Sequence, residues 1–234
     1  KGGNYACVEA MRQLIMAGLQ SPLPVTILFT PDEEVGTPST RSLIEAEAER
    51  NKYVLVPEPA HSDGGATIGR YAISRFNLHT VGRPSHAGAR LGDGKSAIAH
   101  MARKVLEIEA MSGPDCTFSI GVIHAGQWVN CVSSHCDAEA LTMAKTQKDL
   151  DDGIARIMAL QGDENGVEFR ITRGVTRPVW EPNQPGTMAL FNIAKDICTE
   201  LGFDLMGRSQ GGGSDGNFTG YLGIPTLDSL GVRG

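Results

Sequence analysis

The sequence predicts an α/β protein in which one domain interrupts another, and three observations carry that expectation. A β-branched and aromatic run, Val25 to Phe29, passes through Thr30 and Pro31 into Asp32, Glu33, Glu34, Val35 and Gly36. The middle of the chain alternates apolar and polar residues in blocks separated by helical periodicity. The outer stretches instead place short, wholly apolar runs next to helices, the pattern of strands covered on both faces.

Taken in order, Cys7, Ala10, Met11, Leu14 and Ile15 recur at helical spacing, and a Pro-containing link leads to a strand from Val25 to Thr30. Ser39 is placed to cap a helix running from about Thr40 to Arg50, and Tyr53 to Val56 reads as a second strand ending at Pro57, Glu58 and Pro59. In the middle, Phe76, Leu78 and Thr80 alternate with Asn77 and His79 as a strand with one wet face. Ile98, Met101, Val105 and Ile108 then mark a helix. Phe118, Ile120 and Val122 predict another strand, and a further one is expected to cover Trp128 to Met143. Leu150, Ile154 and Ile157 predict a helix, and Val167, Phe169 and Ile171 a closing strand. The resulting β-α-β-β-α-β order is the split-βαβ pattern, so residues 70–175 are expected to form a ferredoxin-like module inserted between residues 1–69 and 176–234. Gly69 and the region of Pro178 are the expected hinges. Phe191, Ala194, Cys198 and Leu201 mark a late helix, followed by a glycine loop over 207–216 and a last strand at Pro225 to Leu230. Three candidate outer strands make a thin, mostly parallel sheet with helices on both faces. A doubly wound sheet usually has more, so the chain reads as a piece of something longer.

Composition narrows the function. At 234 residues with 41% apolar content the chain can build a core, and a formal net charge of -6 argues against a nucleic-acid or anionic-membrane surface. No apolar run reaches the length of a membrane span, and the start is unlike a signal peptide. Five cysteines without a Cys-x-x-Cys pair suggest neither a disulfide framework nor a thiolate zinc site, and reduced thiols fit a cytoplasmic protein. An acidic turn alone is ordinary surface. This one follows a strand, and open α/β sheets bind ligands beyond the carboxyl ends of their strands. Neighbours in extended backbone point opposite ways, so Glu33 and Glu34 can divide the work, one handling a proton and the other binding a cation. Glu58 places a further carboxylate at a strand end.

The ordered set Lys1-Gly2-Gly3-Asn4, Asp32-Glu33-Glu34-Val35-Gly36, Glu58-Pro59, Gly82-Arg83-Pro84-Ser85-His86-Ala87-Gly88, Thr172-Arg173-Gly174, Gly211-Gly212-Gly213-Ser214-Asp215 and Ser229-Leu230-Gly231 resembles the two-zinc aminoacylase and glutamate carboxypeptidase family, the carboxypeptidase G type above all. The resemblance implies a zinc-peptidase catalytic domain interrupted by a ferredoxin-like lid through which two copies dimerise. It implies two Zn2+ per subunit, with cobalt or manganese as substitutes, and hydrolysis of a peptide or N-acyl amino acid to release an amino acid with a free carboxylate. Residue by residue, Glu33 matches the general base, Glu34 and Glu58 ligands of the two zinc ions, and His86 a donor to the negative oxygen of the partner's intermediate. Asn130 and Arg173 match positions that grip the product carboxylate, and Gly212, Gly213 and Ser214 match a substrate loop. His61 and Asp63 are read as loop polarity.

The same resemblance places a bridging aspartate two positions before Lys1, a histidine further upstream and another just after Gly234. The 234-residue stretch by itself is therefore expected to hold metal poorly and to be catalytically silent. Leu141, Thr142, Met143 and Ala144 stand where the family commonly shows an arginine after an aspartate, which leaves the substrate open. An aminoacylase, a deacylase, a dipeptidase and an inactive fragment that keeps the dimerisation lid are the alternatives.

Overall fold

The computed structural model describes residues 2–233, so Lys1 of the first motif and Gly234 lie outside the described residues. In chain order the elements are α1 (Gly2–Met16), α2 (Arg41–Glu49), β1 (Val54–Leu55), β2 (Ala66–Arg70), β3 (Ala72–Val81), β4 (Ser85–His86), α3 (Ala97–Glu109), β5 (Cys116–Ala125), β6 (Cys131–Val132), β7 (His135–Ala144), α4 (Gln147–Met158), β8 (Gly162–Glu164), β9 (Val167–Arg177), α5 (Pro185–Glu200), β10 (Gly207–Gln210), α6 (Gly216–Tyr221) and β11 (Thr226–Leu227). Single 3-10 turns occur at Glu33–Val35 and Leu91–Asp93. The chain divides into two compact units, one of residues 1–71 and 177–234 and one of residues 72–176. No helix among the described residues is long and apolar enough to cross a membrane.

The unit of residues 72–176 is built on a five-stranded sheet in the order β5-β7-β3-β9-β8, with β7 antiparallel to both β3 and β5 and β8 antiparallel to β9. Alternation decides its faces. Phe76, Leu78, Phe118, Phe169 and Ile171 turn inward, where Met101 and Ile108 of α3 and Ile157 of α4 meet them. Full burial of a side chain such as Leu78 contributes about 1.5 to 3 kcal/mol. Asn77 and His79 stand on the opposite face. Both helices begin with a side-chain cap: Ser96 Oγ accepts from Ala99 N–H and Thr146 Oγ1 from Asp149 N–H, both at 3.1 Å. Each cap is worth about 1 kcal/mol. The expected strand over 128–143 is divided into short β6 and long β7. Trp128 to Asn130 form a turn, and β6 leaves the large sheet to pair with β4.

In the other unit, β1 pairs parallel with β11 and β2 parallel with β10. Its core gathers Ala66, Ile68, Leu190, Phe191, Leu205 and Leu227. The expected mostly parallel sheet is thus, among the described residues, two short parallel ladders, while the largest sheet is mostly antiparallel. Three further expectations are corrected. Val25 to Thr30 is not a strand, because no described strand lies beside it to accept its hydrogen bonds. Half or more of Val25 and Phe29 remains in solvent. Ser39 does not cap α2, since its hydroxyl is drawn to Asp32 instead. The stretch 207–216 is not all loop: Gly207–Gln210 forms β10, which sequence periodicity conceals because none of its side chains is apolar.

Candidate active site

The acidic turn is held from both flanks. Asp32 accepts from the amide and hydroxyl of Ser39 at 2.8 and 2.6 Å and from the amide of Thr40 at 3.1 Å, and it also bonds the Thr40 hydroxyl. These donors, the Ser39 hydroxyl foremost, hold its carboxyl well below the usual carboxylate range. Asp32 therefore closes the 32–40 loop. Within that loop Thr37 is buried with φ +62°, a conformation a β-branched residue adopts only where its surroundings enforce it. The enforcement is visible: Thr37 Oγ1 donates to Asp215 at 2.6 Å, and Arg177 donates to Thr37 Oγ1 at 3.2 Å.

Arg177 is the centre of this arrangement. Its side chain is 6% exposed, and one terminal nitrogen donates to both the carboxylate and the backbone carbonyl of Glu33, each at 2.8 Å. The other donates to Asp215 at 3.3 Å, and Asp215 also accepts from Thr30 at 3.1 Å. The planar fork thereby ties Glu33 to Asp215, a span that a lysine could not reproduce.

Glu58 follows β1, and its loop is tight. Gly231 N–H donates to Glu58 O at 2.8 Å, and a Cβ on Gly231 would lie 2.5 Å from the carbonyl of Pro57. A Cβ on Gly3 would lie 2.0 Å from the same carbonyl, so the start of α1 presses on this loop. Burial pushes the Glu33 carboxyl up, Arg177 pulls it down, and Glu58, Asp215 and Glu34 push it up again. Burial likewise raises Glu58, followed by Asp228; Arg70 opposes, and Glu34 and Asp215 add to the rise. Glu33, Glu34 and Glu58 therefore share one electrostatic field, in which the ionised carboxylates repel and a cation would relieve them.

Beneath Glu58, buried Arg70 donates to Asp228 at 2.7 Å and to the carbonyl of Gly212 at 3.1 Å. Asp228 is wholly buried and also takes the Ser214 hydroxyl and the Ser229 amide. Gly212, at φ +86°, turns the loop as a left-handed residue would. The expected substrate loop thus splits. Gly212 lies at the surface and Gly213 is partly covered, whereas Ser214 is buried and spends its hydroxyl on Asp228 and on the amide of Gly216. His61 and Asp63 are loop polarity as expected, bonded to Thr67 and to Arg208 with the Gly65 amide.

The remaining candidates lie in the unit of residues 72–176. His86 stands opposite Cys131 on the β4–β6 ladder, and its Nδ1 accepts from the amides of Gly88 and Ala89 at 3.1 Å. The neutral ring therefore carries its proton on Nε2, presenting a donor to solvent. Asn130 is adjacent, its carbonyl accepting from Ala87 at 2.9 Å. Arg173, on β9, is exposed and donates to Thr176 at 3.2 Å. Sequence reasoning missed Arg177, Arg70 and Asp228 and placed Asp215 only at the end of the substrate loop. No local pattern announces a cation whose partners lie 140 or more residues away, as Thr37 and Glu33 do from Arg177. Among the described residues, no group of three His, Cys, Asp or Glu side chains is already arranged to hold a metal ion.

The Peptidase_M20 family model, peptidase family M20/M25/M40, matches residues 1–234. Carboxypeptidase G2 of Pseudomonas sp. (strain RS-16) is 28% identical over 242 residues, covering all of this chain and 58% of that protein. Acetylornithine deacetylase of Myxococcus xanthus is 28% identical over 127 residues, half of this chain and 33% of that one. Among solved structures, aminopeptidase PepT of Bacillus cereus ATCC 10987 superposes with a TM-score of 0.74 at 22% identity, over 97% of this chain and 61% of that one. A tripeptidase of Staphylococcus aureus subsp. aureus mu50 gives 0.68 at 20% identity, over 80% and 52%. The structural likeness speaks to the fold, and the chain spans under two thirds of the length of each of these relatives.

Proposed function

This chain belongs to peptidase family M20/M25/M40, and from that premise we propose that it carries the proton-transfer and cation-holding part of a zinc-dependent amide hydrolase that releases an amino acid with a free carboxylate. One observation carries the reading: Glu33, held rigidly by Arg177, lies in the same field as Glu34 and Glu58. Burial and neighbouring carboxylates raise Glu33 and Glu58, a charge environment that a divalent cation would relieve. Glu34 and Glu58 are the residues here that would hold it. The chemistry such ions supply when bound is a lowered water pKa and a polarised amide carbonyl.

Glu33 takes the proton of the attacking water and returns it to the departing amine. Burial moves its carboxyl up toward the working range of a general base, and the Arg177 fork keeps it aimed. His86 offers an Nε2 donor and Asn130 an amide; in this reading both serve the substrate bound by a second copy, with which residues 72–176 pair. The exposed edge strand β5 supports that pairing. Gly212 and Gly213 offer backbone amides to a substrate, and Arg173 offers a guanidinium to a carboxylate.

Activity of the protein carrying this chain toward glutamate amides and N-acyl amino acids, measured with zinc or cobalt, tests the reading. Glu33→Gln should lower kcat by about a hundredfold to ten-thousandfold, and a fully active Glu33→Gln protein would overturn it. The match to an acetylornithine deacetylase over half of the chain favours one second reading, an acylated amino acid as substrate, which a substrate panel separates.

A further inference from the structure

Two buried residues other than glycine hold left-handed backbone among the described residues, Thr37 and Ser229, each at φ +62°. Such backbone is strained for a side-chain-bearing residue and persists only where neighbours enforce it. Thr37 belongs to the loop that carries Glu33. Ser229 opens the turn whose Gly231 amide donates to the carbonyl of Glu58 at 2.8 Å. The neighbours that enforce the two are consecutive in sequence. Asp215 accepts from the Thr37 hydroxyl at 2.6 Å, and the Ser214 hydroxyl donates to Asp228, whose carboxylate also takes the Ser229 amide.

We propose that Ser214 and Asp215 form a clasp that fixes the Glu33 loop relative to the Glu58 loop, with Asp215 a positioning residue for proton transfer; the inference rests on the roles proposed above for Glu33 and Glu58. Adjacent Cα atoms are about 3.8 Å apart, so the supports of the two acids cannot drift independently. One oxygen of Asp215 takes the Thr37 hydroxyl and, at 3.3 Å, Arg177, while the other takes Thr30 at 3.1 Å. Arg177 in turn holds Glu33, so a shift of Asp215 reaches that acid by two routes, the guanidinium and the 32–40 loop. On the other side, Asp228 gathers Ser214 and Arg70, and Ser229 Oγ pairs with Thr67 Oγ1 at 2.8 Å. The clasp is itself anchored. Wholly buried Asn217 accepts from the Ser214 amide at 3.0 Å and donates to the carbonyls of Tyr71 and Pro178 at 3.0 and 2.8 Å. Such precision matters to a proton-transferring carboxylate, because a misplacement of about 1 Å can cost about a hundredfold in rate.

The test is hydrogen exchange over residues 32–40 and 228–231 in the protein that carries this chain, read by mass spectrometry beside kcat and KM. Ser214→Ala removes only the hydroxyl and should quicken exchange in both loops by about tenfold, the effect of losing one hydrogen bond on a local opening. Asp215→Ala should lower kcat by about tenfold to a hundredfold with KM unchanged. Asp215→Asn keeps an oxygen that accepts from Thr37 and Arg177, and it should restore most of that loss. A Ser214→Ala protein that exchanges over 32–40 as its parent does would overturn the clasp, and so would an Asp215→Asn protein no more active than Asp215→Ala. Full activity of Glu33→Gln would fault the role of Glu33 alone, since the joint loosening of the two loops is read without reference to turnover.

Discussion

Replacing Arg177 with methionine keeps most of the side-chain volume and removes the guanidinium, which makes it the sharpest probe of the acidic turn. Arg177 is 6% exposed, and its partners Glu33 and Asp215 are 25% and 16% exposed. Breaking a buried ion pair by removing one partner costs about 3 to 5 kcal/mol. Because Glu33 keeps a quarter of its access to water, the loss expected here is about 2 to 4 kcal/mol, the discount reflecting solvent screening. Trp180, fully buried in the same unit, reports the transition by fluorescence, while Trp128, 71% exposed in the other unit, contributes little change. With a urea slope of about 2 kcal/mol/M, the midpoint should fall by about 1 to 2 M with the slope unchanged.

The pH dependence of that deficit follows in sign. The folded state already raises Glu33, so between its unfolded and folded pKa the native state binds more protons, and stability falls as pH rises through that window. Without Arg177 the folded value rises further and the window widens upward. The deficit should therefore be smallest at acid pH, where Glu33 is protonated in both states, and full above the raised folded value. Adding Glu33→Gln should recover part of the loss, the coupling expected of residues in direct contact. An Arg177→Met protein as stable as its parent at neutral pH, or a deficit that does not change with pH, would refute the reasoning.

Two further outcomes are expected. Glu58→Gln should leave neutral-pH stability equal or higher and flatten the fall in stability as pH rises through the raised Glu58 value, because burial and Asp228 disfavour its charge; a stability curve parallel to the parent's in urea titrations at several pH values would contradict this. Gly220→Ala should destabilise by about 3 kcal/mol, the upper end of overpacking, since the new Cβ would lie 2.2 Å from Cγ of Trp180; an unchanged Trp180 unfolding midpoint would show that the helix can move aside.

The elements of residues 72–176 were readable because each is decided by neighbours close in sequence. Val167, Phe169 and Ile171 alternate in the sequence and all three are buried. The helix marked by Met101 and Ile108 is likewise real, although Ile98 is 43% exposed and His100 takes the inward position. On β5 the alternation fails after Ile120 because a register shift before Val122 turns the strand, and Val122 points outward. In the other unit, legibility ended where partners are distant. Val25 to Phe29 has strand composition but no described strand beside it, and β10 has a partner without the composition. The site divides in the same way. Glu33, Glu34 and Glu58 stand out as candidates by type and position, but Arg177, which bonds Glu33, and Arg70, which bonds Asp228, have no sequence signature because their partners lie far along the chain.

The most direct measurement is anomalous scattering at the zinc edge from crystals of the zinc-loaded protein that carries this chain. The account predicts zinc bound by the carboxylates of Glu34 and Glu58, with Glu33 unbound to metal and still held by Arg177. An active, zinc-loaded protein whose anomalous peaks lie away from both Glu34 and Glu58 would contradict it.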